Sequence, residues 1–279
     1  MKNSFLHFFQ DARNLQLTML STFLIYGMIY LGWAFDAGKF TAIIVAGLLT
    51  QWIGIRLTRG SMQSMKSAWI TVIGLCLLLQ TTLIWVGILA AVFSIGVKFL
   101  LRIDGKHFFN PSNFGIVATI ALTGEAWISP GQWGSGALFI FAIGGAAMLI
   151  TIKVKRLGTG IAFIGTLFLL EYLRTVLYLG WDMDVLLHKF SSGSLLLFTF
   201  FMITDPVTTP RHPKARLIWA SGVAVLAFLM THWFYLYTAP LYALILLAPL
   251  TPVLNKTFHG QRFSWSTSNS TIHLNPHTS

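Results

Sequence analysis

Charged residues are scarce in this sequence, and acidic residues are the scarcest. Only 10% of the 279 residues are charged, with 8 acidic against 19 basic side chains, whereas 55% are hydrophobic. The mean hydropathy is +0.72. A soluble domain carries roughly 25% charged residues, so this chain cannot cover a water-exposed surface. The composition therefore predicts an integral membrane protein. The apolar runs are long and continuous, which indicates helices rather than a barrel of alternating strands.

Cysteine and metal-binding patterns are almost absent. The single cysteine, Cys76, lies within an apolar run, so disulfides and Cys-ligated iron–sulfur clusters within this chain are excluded. The 8 histidines are scattered without metal-ligand spacing, and no metal site is predicted. The net charge of +11 comes from basic residues clustered in loops. Such clusters are typical of topology signals, so the expected partner is the lipid bilayer and not nucleic acid.

Ten apolar segments follow one another along the chain. Several are shorter than the ~20 residues that cross a bilayer of about 30 Å, and 111–124, the shortest, is a candidate half-helix. No cleavable signal is apparent before the first segment, which we expect to be a retained span. The ten segments are approximately 15–35, 39–55, 67–81, 83–101, 111–124, 133–152, 158–179, 184–203, 216–236 and 239–255.

The charges of the loops test this threading. If successive loops are assigned in turn to the two sides of the membrane, sixteen lysines and arginines fall on one side, Lys98 among them, and Lys39 falls alone on the other. Basic residues concentrate in cytoplasmic loops, so both termini are predicted to be cytoplasmic, in a multi-pass protein of the inner membrane. A transmembrane domain of residues 1–255 would divide into halves 1–125 and 126–255. Five spans per half make the halves inverted.

The end of the chain differs in composition from the rest. Residues 256–279 are polar and low in aliphatic side chains. Such a segment cannot bury enough apolar surface to offset the entropy of ordering. We predict a disordered cytoplasmic tail.

The stretch from Gly105 to Gly115, G-K-H-F-F-N-P-S-N-F-G, joins a basic loop to an apolar segment. Asn110 before Pro111 predicts a helix start, because asparagine caps helices well and proline at the first position needs no N–H. Such a start directs free N–H groups toward whatever lies beside it. Asn110 and Asn113 place two carboxamides at the predicted membrane boundary. A capped helix without a ligand and a binding site both remain open at this point.

A second candidate stretch runs from Ser191 to Pro210, with the sequence S-S-G-S-L-L-L-F-T-F-F-M-I-T-D-P-V-T-T-P. Small residues such as Ser192 and Gly193 within a predicted span allow close helix packing, or leave room for a planar ligand. Thr204 and Asp205 then end the span with an ordinary turn signature. The threading puts this end on the same face as the first stretch, so we expect one shared pocket.

An isolated pair of charges lies on predicted span 158–179. Glu171 and Arg174 are three residues apart, which places them on one helical face. A carboxylate at this depth is costly and is usually paired or functional. We expect a structural ion pair between the two, with a proton or cofactor contact as the alternative. His188 and Lys189 are predicted to lie at the outer membrane interface.

The two stretches resemble a known family, the flavin-carrying membrane subunits of the sodium-pumping NADH:quinone reductase and of the Rnf electron-transport complex (the NqrB/RnfD type). The similarity rests on F-N-P-S-N-F-G, Phe109 to Gly115, and on F-S-S-G-S-L-L-L-F-T-F-F-M-I-T-D-P-V-T, Phe190 to Thr208. These look like the family's F-N-P-A segment and its small-residue segment ending in A-T-D-P-V. Order and spacing agree over most of residues 15–255.

The resemblance implies an all-α membrane fold of about ten helices in two inverted halves of five, similar to urea and ammonium channels. It implies electron transfer through two flavins, a covalent FMN near the outer face and a riboflavin near the inner face. Asn110 and Asn113 match the family positions beside the inner flavin. An isoalloxazine ring needs an apolar slot and a few amide partners. The predicted cofactor-binding residues are Phe109, Asn110, Pro111, Asn113, Ser192, Gly193, Thr204 and Asp205; no catalytic residue is assigned.

The chain departs from the family where the covalent flavin is attached. The family carries this FMN on the threonine of an S-G-A-T motif, and here Trp133 to Phe139 has the sequence W-G-S-G-A-L-F, with Leu138 in that place. Leucine cannot form a phosphoester, so any riboflavin or FMN is expected to be non-covalent. We expect a stand-alone relative that exchanges electrons with redox proteins or a quinone. A channel or carrier for a small solute, using the same fold, is the alternative.

Overall fold

The computed structural model describes residues 11–33, 36–133, 144–145, 148–261, 263 and 265, and it is mainly helical over them. The longer helices are α1 (Ala12–Ile29), α2 (Ala37–Thr58), α3 (Met65–Leu78), α4 (Ile84–Leu100), α5 (Pro111–Thr123), α6 (Leu157–Tyr172), α7 (Met183–Phe190), α8 (Gly193–Leu197), α9 (Pro213–Trp233), α10 (Ala239–Leu247) and α11 (Leu250–Thr257). Helix α6 continues as a π-helix over Leu173–Tyr178, and α8 does so over Phe198–Met202. Two 3₁₀ turns cover Met62–Ser64 and Pro130–Trp133.

These helices fall on the predicted apolar segments. The exception is segment 133–152, most of which lies outside the described residues. By length and hydropathy, three helices of the described chain can cross a membrane: Ala37–Thr58, Leu157–Tyr178 and Pro213–Trp233. Two bent helix pairs raise that number to five if each pair forms one span. The ten-span layout and the inverted relation between halves 1–125 and 126–255 therefore stay predictions.

Two predicted spans are broken in the structure. Helix α7 meets α8 and its π-helical continuation at 55°, and α10 meets α11 at 48°. The first break lies at Ser191 and Ser192, where Ser192 has an extended backbone. The second lies at Ala248 and Pro249, where proline cannot donate a backbone hydrogen bond to the preceding turn. The predicted segment 184–203 is therefore two helices, because Ser191 and Ser192 end one and begin the other.

Two short strand pairings connect the described helices, and one of them is a hairpin. Strands β1 (Leu79–Gln80) and β4 (Trp127–Ile128) pair antiparallel, as do β2 (Arg102–Ile103) and β3 (Lys106–His107). The β2–β3 connection is Asp104–Gly105, with φ values of 53° and 75°. Positive φ at both central residues is the two-residue turn that suits an Asp-Gly pair. Strand β3, which follows this turn, leads into the start of α5.

The two ends of the described chain meet at one face. The Arg13 guanidinium lies 5.4 Å from the centre of the Trp265 ring, and the Lys106 Nζ donates to the Phe263 carbonyl at 2.7 Å. We call this side, which carries the ends and the β2–β3 hairpin, the basic face. Helix α11 runs to Thr257, and Phe263 and Trp265 contact that face; the disordered tail at 256–279 stays a prediction. Residues 266–279 lie outside the described residues.

Close packing joins α4 to its neighbours α2 and α5. A Cβ added at Gly115 of α5 would lie 2.5 Å from the Ala90 carbonyl oxygen and 1.8 Å from the Ser94 Oγ of α4, so only glycine permits this approach. Lys98, assigned by charge to a cytoplasmic loop, instead lies buried in α4. Its Nζ donates to the Gln51 Oε1 at 2.8 Å, because a buried ammonium needs polar partners.

Candidate functional site

Asn110 begins α5 in the way that the sequence predicts. Its Oδ1 accepts a hydrogen bond from the Asn113 backbone N–H at 3.0 Å, and Pro111 occupies the first turn. Its Nδ2 donates to the Met202 carbonyl at 3.3 Å and lies 3.5 Å from the Asp205 Oδ2. One carboxamide therefore caps a helix and joins it to the end of the α8 span. The expectation that Asn110 and Asp205 meet is confirmed.

Asp205 is held in a turn beyond that span. Its Oδ1 accepts from the Val207 N–H at 3.0 Å, and its carbonyl accepts from the Thr208 and Thr209 N–H groups at 3.3 and 3.1 Å. Burial raises the pKa of the Asp205 carboxyl, whereas the Val207 N–H and the Thr208 hydroxyl act in the opposite direction. The carboxyl is thus fixed in place at the basic face, beside the Asn110 amide.

A narrow cavity opens beside this pair, and we call it the basic-face cavity. It has a volume of about 80 Å³, and Asn110, Pro111, Thr204 and Asp205 all line it. The tail residue Trp265 also lines it. Ligand pockets commonly enclose about 300–1,000 Å³. Four of the eight predicted cofactor-binding residues therefore share one cavity, which in this conformation holds a few small molecules and not a flavin ring.

Basic side chains shape the electrostatics of this cavity. His107, which lines it from strand β3, has its pKa lowered to about 3 by burial and by the positive charges of Lys98, Arg102 and Lys106. It is neutral at physiological pH for that reason. Burial lowers the pKa of Arg156, at the start of α6, to about 10, so its guanidinium stays charged. Among the residues that line the cavity, Arg13 and Asp205 carry the charges, while the other basic side chains named here act on it from outside.

Asn113 and Phe109 do not line the basic-face cavity. Asn113 is 1% exposed, and its Nδ2 donates to the Leu241 carbonyl of α10 at 3.0 Å. Its Oδ1 is buried and has no hydrogen-bond partner among the described residues. The Phe109 ring packs against Phe108 and Phe114, with centroids 4.5 and 5.2 Å apart. Phe109 and Phe114 thus pack against each other and do not line the cavity.

Ser192 and Gly193 lie away from Asp205, at the break between α7 and α8. The Ser192 Oγ lies 2.8 Å from the Ser194 Oγ. A Cβ at Gly193 would lie 2.6 Å from the Trp133 ring, so the space beside this glycine is filled by tryptophan. Gly193 therefore serves packing in this conformation, while Ser192 faces a second cavity.

That second cavity is the larger, at about 670 Å³, and the sequence did not predict it. We call it the opposite-face cavity, because it lies between α6, the α7–α8 break, α9 and the start of α10, away from the basic face. Its walls include Leu167, Leu195, Phe198 and Leu241, with Glu171 and Lys189 at one corner. The only signal for it in the sequence was a carboxylate within an apolar segment.

Glu171 pairs with partners that the sequence did not indicate. It is 1% exposed, and its Oε1 contacts the Lys189 Nζ of α7 and, at 3.0 Å, the His232 Nε2 of α9. The predicted pair with Arg174 is wrong. The π-helix that begins at Leu173 changes the turn per residue, so positions three apart no longer align. Lys189, predicted to lie at the outer membrane interface, is 41% exposed and also contacts Glu171.

The comparison with known families is decisive for identity. A family model described as "NQR2, RnfD, RnfE family" matches residues 119–264, just over half of the chain. The chain belongs to this family. The match contains the stretch from Ser192 to Asp205 and begins after Asn113. It also contains Leu138, which lies outside the described residues, so the loss of the covalent attachment point stays a prediction from sequence.

Several curated relatives are named as the D-type subunit of an ion-translocating oxidoreductase complex. The one from Shewanella frigidimarina is 30% identical over 142 residues, covering 47% of this chain and 39% of the relative. The one from Shewanella denitrificans is 27% identical over 153 residues, covering 50% and 43%. The one from Stutzerimonas stutzeri is 37% identical over 70 residues, covering 25% and 20%. The matches span less than half of the length of each relative.

Proposed function

We propose that this chain carries electrons through a non-covalently bound flavin as a membrane subunit of an ion-translocating oxidoreductase. The names of its relatives favour this over the stand-alone relative that we expected from the sequence. Its membership of the family and the names of its relatives support this assignment. The observation that carries it in the structure is the Asn110 contact with Asp205, which brings together the two stretches in which we recognised the resemblance to the family. We place that face in the cytoplasm, since it holds the basic loops, and the domain in the inner membrane.

The polar groups near this contact suit a flavin. The buried Asn113 Oδ1 lacks a partner among the described residues, and an acceptor is what the N3–H of an isoalloxazine requires. The start of α5 adds the positive end of a helix dipole. A bound flavin would supply one- and two-electron redox chemistry. Asn110, which lines the cavity, would be an amide partner of the ring, and Asn113, which does not line it, would become one after the walls move.

The space at this site constrains how a flavin enters. The basic-face cavity of about 80 Å³ is smaller than the ring, so binding requires its walls to move. Of the residues that line the cavity, we expect Trp265 to move most easily, because it belongs to the tail and not to a helix. Redox proteins that dock at this face, or a quinone in the membrane, would then exchange electrons with the flavin.

An absorbance spectrum tests this function. Protein purified in mild detergent should show flavin bands near one flavin per chain, and the flavin should remain in the supernatant after acid precipitation. Asn110→Ala should lower the ratio of flavin to folded protein, while Thr22→Ala, an exposed position on α1, should not change it. Colourless parent protein would rule the proposal out, and flavin that precipitates with the chain would rule out non-covalent binding.

One observation favours a second candidate, passage of a small solute. Leu78 lines both the basic-face cavity and the opposite-face cavity, so the two cavities, which lie toward opposite faces, share this apolar side chain as part of their walls. If the chain is a closed channel, Leu78→Ala should raise solute flux in flavin-free proteoliposomes. Unchanged flux in that variant would remove this candidate.

A further inference from the structure

A narrow crevice lies at the basic face where four segments of the chain meet, and we call it the basic-face crevice. The β2–β3 hairpin, the turn that follows Asp205, helix α11 and the tail all contribute to its wall. Its volume is about 30 Å³. Since about 10–15 Å³ is enough for one water molecule, the crevice can hold a group the size of a small oxyanion but not a ring. His107, Pro206 and Val207 line both this crevice and the basic-face cavity, so the two are neighbours.

Positive charge predominates in the wall of this crevice. Lys106 and Arg211 line it, and Asp104 is the only acidic residue among the lining residues that the structure describes. Asp104 is exposed at the turn of the hairpin, where water and salt screen its charge. The Arg211 guanidinium forms no ion pair within the described part of the chain. The Lys106 ammonium is held at the crevice by its hydrogen bond to the Phe263 carbonyl. The crevice therefore attracts an anion.

A buried hydroxyl in the same wall lacks a partner. Thr251 is 3% exposed, and its Oγ1 has no hydrogen-bond partner among the described residues. Such a hydroxyl is costly to bury unless a ligand or a water molecule pairs with it. Thr209, another buried lining residue, links a third cation to the wall, because its Oγ1 accepts from the Arg156 Nε at 3.2 Å. Cations and a hydroxyl donor in one crevice are the groups that bind phosphate oxygens.

Exposed aliphatic side chains adjoin the crevice, and we call them the apolar rim. Ile103, which lines the crevice, is 42% exposed. Leu250 and Val253 of α11, which lie within two positions of Thr251, are 46% and 57% exposed. Basic pockets beside membrane helices bind the headgroups of anionic lipids. The apolar rim adds the surface that acyl chains require, which favours a lipid phosphate over a soluble one.

We propose that the basic-face crevice binds the phosphate of an anionic phospholipid from the adjoining leaflet, with Arg211, Lys106 and the Thr251 hydroxyl as donors. The acyl chains of the lipid lie along the apolar rim. This binding does not depend on a flavin in the basic-face cavity. A soluble ligand such as FMN carries the same phosphate chemistry, and competition separates the two sources.

Native mass spectrometry of the full chain in mild detergent tests the proposal. The protein should retain one dioleoylphosphatidylglycerol per chain, at least tenfold more tightly than dioleoylphosphatidylcholine, because only the first lipid has a net negative charge. Arg211→Gln should weaken phosphatidylglycerol binding about tenfold, Arg211→Lys should weaken it less, and Thr251→Val should weaken it about three- to tenfold. The matched control is Lys214→Gln, which removes an exposed charge near Arg211 that does not line the crevice. It should leave the affinity unchanged.

Several outcomes would overturn the proposal. Equal binding of the two lipids would do so, as would unchanged phosphatidylglycerol affinity in folded Arg211→Gln and Thr251→Val. If glycerophosphoglycerol, which lacks acyl chains, bound as tightly, or if FMN displaced the lipid and riboflavin did not, the phosphate would belong to a soluble ligand. Thermal unfolding checks the fold of each variant, and Thr251→Val decides if Arg211→Gln does not fold. Flavin content of the same samples reports separately on the basic-face cavity, so its absence leaves this test intact.

Discussion

Arg13 and Trp265, 252 positions apart in the chain, lie in contact at the basic face, with the guanidinium 5.4 Å from the ring centre. A cation over an aromatic face at this distance contributes about 0.5–1 kcal/mol at an exposed site. The Lys106 bond to the Phe263 carbonyl adds a second anchor for the same segment. Trp265 thus lines the basic-face cavity and is held at that face by contacts to its own ring and to Phe263, so we expect this segment to act as a removable cover.

Removing this cover should open the cavity. In a Cys76→Ala background, a cysteine introduced at Gln16, which lines the cavity, should react several-fold faster with a maleimide when Trp265→Ala is added. The reason is that Trp265 shields that wall and is held by about 1 kcal/mol. A cysteine at Ser129, on the opposite face, serves as the control and should react at an unchanged rate. Equal rates at Gln16 with and without Trp265 would show that the tail does not cover the cavity.

The α4–α5 contact should tolerate no side chain at Gly115. Gly115→Ala places a Cβ 2.5 Å from the Ala90 carbonyl oxygen, so the helices must separate at a cost of about 1–3 kcal/mol or more. Gly165→Ala in α6 is the matched control, since nothing lies within 4 Å of its Cβ position. That change should be neutral or stabilising by up to about 1 kcal/mol through helix propensity. Thermal unfolding in detergent compares the two, and equal midpoints would contradict the close contact.

The hairpin at the basic face should make the protein sensitive to mild acid. His107 lies there, outside the spans, with its pKa lowered from 6.5 to about 3. Between these values the unfolded chain binds the proton and the folded chain does not, so stability falls as the pH decreases from about 6.5 toward 3. His107→Gln should flatten this part of the profile, as measured by unfolding at a series of pH values.

Asp11 affects stability over a different pH range, which the same unfolding measurement can detect. Burial raises its pKa, but hydrogen bonds from Arg13 and Lys66 outweigh that effect and lower the pKa from 3.8 to about 2. Its contribution is therefore present above pH 3.8 and is lost only below it. Asp11→Asn should leave the slope between pH 6.5 and 4 intact. If the dependence of stability on pH between 6.5 and 4 disappeared in Asp11→Asn and persisted in His107→Gln, it would belong to Asp11 and not to His107.

The two carboxamides of α5 should both contribute to stability. Asn110→Ala removes a helix cap, worth about 1 kcal/mol, together with the bond to the Met202 carbonyl, for a total of about 1–3 kcal/mol. Asn113→Leu leaves the buried Leu241 carbonyl without its donor and should cost about 1–3 kcal/mol. Thr22→Ala, an exposed change, should stay within about 0.5 kcal/mol. Denaturant unfolding measures all three, and a neutral Asn113→Leu would show that this residue is not structural.

Local signals in the sequence were sufficient for the class of protein and for the start of the site. Hydrophobic content predicted a membrane protein, and Asn110 before Pro111 predicted the capped start of α5, because capping depends on residues adjacent in the chain. The alternation of loop charges placed Asn110 and Asp205 on one face. The meeting of these two residues followed from threading and not from their local sequence.

Only the tertiary structure decided which buried groups meet. Glu171 pairs with Lys189 and His232, which lie 18 and 61 positions away, and Lys98 is buried against Gln51 instead of lying in a loop. These outcomes depend on how distant helices pack and on the break at Ser191 and Ser192. A side chain's helix and approximate depth follow from neighbouring residues, since hydrophobicity and capping act locally. Its partners follow from packing across the fold, because a buried charge pairs with whatever polar group the neighbouring helices bring within reach.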